Sequence, residues 1–116
     1  MRIYNATLNT MRGLSYAAKS ERAPRQEMAV LAVALPCGLL IAPGVAWYVA
    51  MIASLLVTLA VELLNTAIEK LADRVTTKRD AKIRVAKDLG SAAVFCALCV
   101  AGLIWIAAAA VRFDFL

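Results

Sequence analysis

The sequence contains no histidine and few charged or aromatic residues. Charged residues make up 18% of its 116 residues and aromatic residues 7%, whereas 63% are hydrophobic. A chain of this length has too little interior to bury so many apolar side chains in water, because a small domain leaves a large share of its surface exposed. The composition therefore excludes a water-soluble globule and predicts an integral membrane protein.

These absences also restrict the chemistry. Without histidine, a general base has to be a carboxylate or a lysine. The three cysteines all lie inside apolar stretches, so they do not indicate a disulfide framework, and the C-x-x-C spacing of Cys96 and Cys99 lacks the second pair that a zinc site needs. The glycine-rich phosphate loops of P-loop enzymes and of protein kinases are also absent. Any nucleotide site must therefore be of an unrelated kind.

The longest uncharged run predicts two membrane helices. It covers the 34 residues from Met28 to Val61, which as one helix would be about 51 Å long, against a hydrocarbon core of roughly 30 Å. Residues 42–44 inside this run read Ala-Pro-Gly, which is a turn signal. We therefore predict a hairpin of helices over residues 24–42 and 45–75.

A second uncharged run, from Leu89 to Val111, is 23 residues long and predicts a third membrane helix. Thr77 and Asp80 have the spacing of a capping box, with Thr77 as the N-cap. We therefore predict that this helix covers residues 78–111.

Residues 1–22 are predicted to form an amphipathic helix on the membrane surface, with apolar side chains on one side and Arg2, Arg12 and Lys19 on the other. Five basic residues precede the first uncharged run, none lies in the turn at Pro43, and seven lie between residues 70 and 87. Because basic residues stay on the cytoplasmic side, the N-terminus and the charged connector are predicted to be cytoplasmic.

The charged end of the second membrane helix carries a stripe of polar residues. Their spacings of three, four and four place them within roughly 80° of one another on the helix; they are Glu62, Asn65, Glu69 and Asp73. From Val45, about 20 residues of helix reach Leu64, so the stripe begins where hydrocarbon gives way to headgroups. A carboxylate there indicates a functional site, although a solvated helix end paired with nearby lysine and arginine would show the same pattern.

Carboxylates beside an amide oxygen suit Mg²⁺, which prefers oxygen ligands and bridges nucleotide phosphates. Lys87 lies at the same side of the membrane and could bind a phosphate. Phosphoryl transfer needs charge neutralisation, in-line positioning and a base, and this inventory contains all three. From the residues alone, the prediction is a site at the membrane edge that holds a metal and phosphates, with no substrate identified.

Three blocks of the sequence resemble those of the small prokaryotic diacylglycerol kinase family of integral-membrane lipid kinases. The main block is ELLNTAIE over residues 62–69, followed by Asp73-Arg74; the others are KDLGSAA over residues 87–93, and Glu21 with RQE over residues 25–27. The resemblance implies an all-α membrane protein: a homotrimeric helical bundle with one surface helix and three membrane helices per subunit. Residues 1–116 would be one domain in the bacterial inner membrane, with its active site facing the cytoplasm.

Carried over residue by residue, the resemblance implies that Glu62 is the catalytic base, with Asn65 beside it, and that Glu21 and Glu69 hold Mg²⁺ and ATP. The lipid would contact Glu62 together with Arg25 and Ser91. Further contacts to ATP would come from Arg2, Lys78, Arg79, Asp80, Lys87 and Asp88. Neighbouring subunits would complete each active site, because one three-helix chain can hardly enclose it.

Two alternatives stay open on the sequence alone. The same family contains undecaprenol kinases, and residues 19–22 resemble that branch, whereas Gly90-Ser91-Ala92 favours conversion of diacylglycerol to phosphatidic acid. A small multidrug or proton-coupled transporter would also carry membrane carboxylates. Such a protein places a lone carboxylate near the middle of the membrane, and this stripe lies at one edge.

Overall fold

The computed structural model describes residues 2–116, and every regular element in that range is an α-helix. Helix α1 covers Arg2–Ser20 and α2 covers Arg22–Ile41. Helix α3 covers Val45–Val75 and α4 covers Ala81–Arg112. The predicted all-α architecture, an N-terminal helix followed by three longer apolar ones, is confirmed.

Helices α2, α3 and α4 are long and apolar enough to cross a membrane, with 20, 31 and 32 residues. Most of each apolar segment lies on the outside of the chain, where large side chains such as Leu40, Leu103 and Ile106 are exposed. Water does not tolerate apolar surface on this scale in a monomer. The chain is a multi-pass membrane protein.

The hairpin between α2 and α3 forms at the predicted turn. The Ala42 amide donates to the Gly38 carbonyl at 2.8 Å and closes α2, and α3 begins three residues later. Tyr48 lies against this end of α2 and donates its hydroxyl to the Leu35 carbonyl at 2.8 Å. A Cβ at Gly38 would lie 3.1 Å from the Tyr48 ring. Glycine therefore allows the two helices to approach closely beside the turn.

Several predicted boundaries were wrong. Helix α2 covers Arg22–Ile41 instead of residues 24–42, and α4 ends at Arg112 instead of residue 111. Helix α1 ends at Ser20 instead of residue 22, because Glu21 has extended backbone angles (φ −119°, ψ 126°) and separates α1 from α2. Helix α4 begins at Ala81 instead of residue 78, because its N-cap is Asp80 and not Thr77. One oxygen of the Asp80 carboxylate accepts hydrogen bonds from the amides of Lys82 and Ile83, at 3.0 and 3.1 Å, which satisfies two amides that have no partner inside the helix.

Helices α3 and α4 form the main packing interface. Small residues of α4 are buried along it; they are Gly90, Ala97, Ala101 and Ala108. The Trp105 indole N–H donates to the Met51 carbonyl at 3.0 Å, and the Thr58 hydroxyl donates to the Ser54 carbonyl at 2.8 Å. Polar groups at this depth thus find partners within the protein, as an environment without water requires.

Helices α2 and α4 contact each other little. Between them lies an apolar groove of about 610 Å³, lined by side chains that include Val33, Leu55 and Leu98. One chain therefore leaves apolar helix faces uncovered.

Candidate active site

The polar stripe of α3 runs from buried to exposed positions. Glu62 and Asn65 are only 8% and 7% exposed, whereas Glu69 and Asp73 are exposed. All four lie in the half of α3 that leads to the charged connector between α3 and α4. The stripe therefore places a buried carboxylate next to accessible ones.

Asn65 links the buried and exposed parts of the stripe. Its side-chain N–H donates to a carboxylate oxygen of Glu69 at 3.2 Å. Its own amide oxygen is buried and has no hydrogen-bond partner within the described residues. Asn65 thus fixes the orientation of Glu69.

Helix α2 brings a further carboxylate to the site. Glu27 and Glu69 lie close enough to Glu62 for their charges to act on its carboxylate. Three neighbouring acidic groups create a strongly negative region, which attracts cations. Glu27 is not among the site residues predicted from the sequence. The signal that points to it is its position in the RQE block, six residues after Glu21.

Glu21, at the junction of α1 and α2, is tied to α3 by an ion pair. Its carboxylate lies 2.7 Å from the Lys70 ammonium and accepts a hydrogen bond from the Tyr16 hydroxyl at 3.4 Å. The Lys70 ammonium also lies 5.8 Å from the centre of the Tyr16 ring. Since Lys70 directly follows Glu69, this pair holds Glu21 beside the turn of α3 that carries Glu69.

The connector forms a polar hollow of about 640 Å³. Its lining contains five of the side chains that the sequence analysis predicted to contact ATP, which are Lys78, Arg79, Asp80, Lys87 and Asp88. Asp73, at the exposed end of the stripe, also lines the hollow and pairs with the Lys87 ammonium at 2.7 Å. The stripe and the hollow are therefore contiguous.

Three predicted residues are not joined to this cluster. Arg2 begins α1, and the length of that helix separates it from Glu21 by about 27 Å. Arg25, in α2, and Ser91, beside the buried Gly90, are both exposed. Among residues 2–116, no hydrogen bond links any of the three to the stripe.

The acidic side chains suit a metal that shares its ligands with phosphates. No three of them, in the part of the chain described, converge closely enough to enclose an ion by themselves. Mg²⁺ does not require this, because it is usually held by one or two carboxylates together with water and substrate phosphates. Glu69 and, through its pair with Lys70, Glu21 supply two carboxylates at the same part of α3, and this donor set fits Mg²⁺ bound with a nucleotide.

The sequence is similar to those of known proteins. Residues 8–109 match the profile of the family described as prokaryotic diacylglycerol kinase. A diacylglycerol kinase from Haemophilus influenzae is 38% identical over 103 residues, which are 89% of this chain and 87% of the relative. Diacylglycerol kinases from Pseudomonas aeruginosa and Escherichia coli are 41% and 38% identical, each covering 90% of this chain and 85% of the relative.

The family match covers most of the chain, including every residue of the polar stripe and of the connector hollow. It confirms the resemblance inferred from the three blocks and, at the level of the family, the prediction of a lipid kinase. The chain belongs to the prokaryotic diacylglycerol kinase family.

Proposed function

We propose that this protein transfers the γ-phosphate of ATP to a membrane lipid alcohol and converts diacylglycerol to phosphatidic acid. The observation that carries the proposal is the position of Glu62. Its carboxylate is buried at the inner end of an acidic stripe, and Asp73 at the outer end of that stripe lines the polar connector hollow. A buried carboxylate and an accessible polar hollow suited to phosphates thus lie at the two ends of one stripe on α3.

Glu62 is the proposed general base. It removes the proton from the lipid hydroxyl as that oxygen forms a bond to the γ-phosphorus, while the bond from this phosphorus to the β–γ bridging oxygen breaks and ADP leaves. A base must lie within hydrogen-bond distance of the proton that it takes. We place the lipid hydroxyl at headgroup depth, within hydrogen-bond distance of Glu62. Arg25 and Ser91 are the proposed contacts to the headgroup.

Glu21 and Glu69 are the proposed ligands of Mg²⁺, which neutralises phosphate charge when bound with ATP. Asn65 supports this role through its hydrogen bond to Glu69. The fixed orientation lets the carboxylate meet a metal without rearranging, as partners of metal ligands generally do.

The connector hollow is the proposed binding site for the phosphates of ATP. Lys87 would exchange its bond to Asp73 for phosphate oxygens. This exchange is easy because the pair is accessible to water, with side chains 39% and 59% exposed, and such ion pairs are weak. Lys78, Arg79, Asp80 and Asp88 line the same hollow. Their polar groups offer further contacts to the nucleotide.

The proposal places the connector in the cytoplasm, where ATP is available, and the protein in the bacterial inner membrane. The supporting observation is the charge distribution, since basic residues gather at the N-terminus and in the connector and are absent from the turn at Pro43. We also propose a homotrimer with active sites shared between subunits. The uncovered apolar faces and the distance of Arg2 from Glu21 support this assembly.

The test is a competition assay with the purified chain in lipid vesicles. Diacylglycerol and undecaprenol are offered together with Mg²⁺ and ATP labelled in the γ-phosphate, and the two phosphorylated lipids are separated and counted. We expect phosphatidic acid to be the main product. Preferential labelling of undecaprenol would make undecaprenol the substrate in place of diacylglycerol. Labelling of neither lipid would reject the proposed function.

A further inference from the structure

Gly90 of α4 lies directly against the Asn65 side chain. It is buried, and a Cβ built on it would lie 2.2 Å from the Asn65 amide oxygen and 3.2 Å from its Cγ. The first distance is far shorter than non-bonded atoms tolerate. Gly102, in the same helix, shows the contrast, because a Cβ there would have nothing within 4 Å. Asn65 therefore occupies space that only glycine leaves open at position 90.

We propose that Gly90 is a positioning residue for phosphoryl transfer: the absence of its side chain lets Asn65 hold Glu69. This inference rests on the role of Glu69 in the proposed function. It adds a residue of α4 to the support of the acidic stripe, although Gly90 itself touches no substrate.

The effect of a larger residue at position 90 depends on which atom its side chain would meet. The atom at 2.2 Å is the end of a side chain and not backbone. Asn65 relieves the collision by rotating, so α3 and α4 need not separate. The nearest atom of another residue, Ile68 Cδ1, is at an ordinary 3.8 Å. A methyl group at position 90 is therefore expected to move Asn65 and leave the helix packing in place.

Moving Asn65 removes the hydrogen bond to Glu69. The exposed Glu69 carboxylate has no other hydrogen-bond partner in residues 2–116, so it would lose its fixed orientation. Removing the partner of a metal ligand typically costs about 10- to 100-fold in metal affinity or activity. Gly90 thus acts on the reaction through two side chains of α3.

The first experiment compares Gly90→Ala with Gly102→Ala in vesicles. The Asn65 side-chain amide is followed by ¹⁵N NMR and assigned by its disappearance in Asn65→Ala, while lipid phosphorylation is measured against Mg²⁺ concentration. In Gly90→Ala we expect a shifted amide signal, a roughly 10-fold higher half-saturating Mg²⁺ concentration and about 10- to 100-fold lower turnover. Gly102→Ala should match the wild type. An unmoved signal or normal turnover in Gly90→Ala would overturn the proposal.

The second experiment adds Gly90→Ala to Asn65→Ala. If Gly90 acts through Asn65, the double variant has the activity of Asn65→Ala, whereas a further loss means that Gly90 acts by separating the helices. Should Gly90→Ala fail to fold, the double variant is expected to fold because the colliding side chain is gone, and its failure would overturn the proposal. The NMR shift tests the inference even if the wild type phosphorylates no lipid, a result that would reject only the proposed function.

Discussion

Glu21 and Glu69, the two proposed metal ligands, have different neighbours. Glu69 accepts a hydrogen bond from the neutral Asn65 amide, so its charge stays available. Glu21 is paired with the ammonium group of Lys70. A cation that binds to Glu21 must therefore compete with Lys70. This competition is a property of the individual side chains and sets the metal concentration at which the site fills.

Replacing Lys70 is expected to ease metal binding. In Lys70→Gln the charge that competes for Glu21 is gone, so the half-saturating Mg²⁺ concentration should fall by about two- to fivefold, the range that exposed ion pairs allow. Titration of Mn²⁺ binding by electron paramagnetic resonance, alongside Mg²⁺-dependent phosphorylation, measures this change. Lys82→Gln removes an equal charge from α4 without touching Glu21 and serves as the control. Weaker metal binding in Lys70→Gln alone would show that the ion pair helps to form the site.

At the residue scale, the sequence predicts the members of one helix face but not their partners on other helices. The spacing of Glu62, Asn65 and Glu69 requires only the helical period, and the predicted stripe follows from it. The contacts of Glu27 and Gly90 with the stripe cannot be predicted in this way, because each residue lies on a different helix. Which faces of α2 and α4 turn toward α3 depends on packing, and packing cannot be read from spacing along one segment.

At the scale of elements, the start of α4 is the boundary that bears most directly on the candidate site. Asp80 both caps this helix and lines the connector hollow. Its carboxylate therefore fixes the point at which the connector becomes helix, about two helical turns before Lys87 and Asp88. If the hollow binds ATP as proposed, one side chain links the stability of the helix start to binding of the nucleotide.

Two substitutions of Asp80 are expected to separate its role as helix cap from its proposed contact with ATP. Asp80→Ala removes the cap and should lower the free energy of unfolding by about 1 kcal/mol, whereas Asp80→Asn keeps a capping oxygen and should unfold like the wild type. Unfolding in mixed micelles, followed by circular dichroism, gives the first quantity. Both variants should show a higher KM for ATP if the charge contacts the nucleotide. Equal stability of Asp80→Ala and wild type would contradict the assigned cap.

Element boundaries were less predictable than the elements themselves. Bilayer thickness fixes how long an apolar helix must be, so the uncharged runs predict three spanning helices directly. Thr77 and Asp80 are both good N-cap residues, and the capping-box spacing favours Thr77. The structure uses Asp80 because the chain leaves α3 at Val75 and remains non-helical until Ala81. Local sequence does not determine that path.

At the scale of the whole molecule, one chain does not assemble all the predicted contacts. Glu62 and Glu69 lie on one helix, to which the pair with Lys70 ties Glu21. Arg2, by contrast, lies about 27 Å from Glu21 along α1. The apolar faces of α2 and α4 are uncovered. Assembly of several copies, which the sequence predicts only through the family resemblance, would cover these faces and bring Arg2 to a neighbouring site.

Mixing two defective variants tests this arrangement. Arg2→Ala and Glu62→Gln copies, each of low activity alone, are unfolded, combined and refolded together into vesicles. If Arg2 serves the site of a neighbouring subunit, some mixed assemblies contain a site with both residues intact, and activity should exceed the average of the two separate preparations. Activity equal to that average would mean that Arg2 and Glu62 serve the same site from one chain.

The central claim is that the buried Glu62 carboxylate takes the proton from the lipid hydroxyl, and replacing it with the nearly isosteric glutamine is the most direct test. We measure turnover of diacylglycerol by Glu62→Gln in vesicles, with cross-linking to follow assembly. The account predicts a loss of about 10²- to 10⁴-fold, the usual contribution of a general base, with assembly and the KM for ATP unchanged. Turnover close to that of the wild type would contradict it.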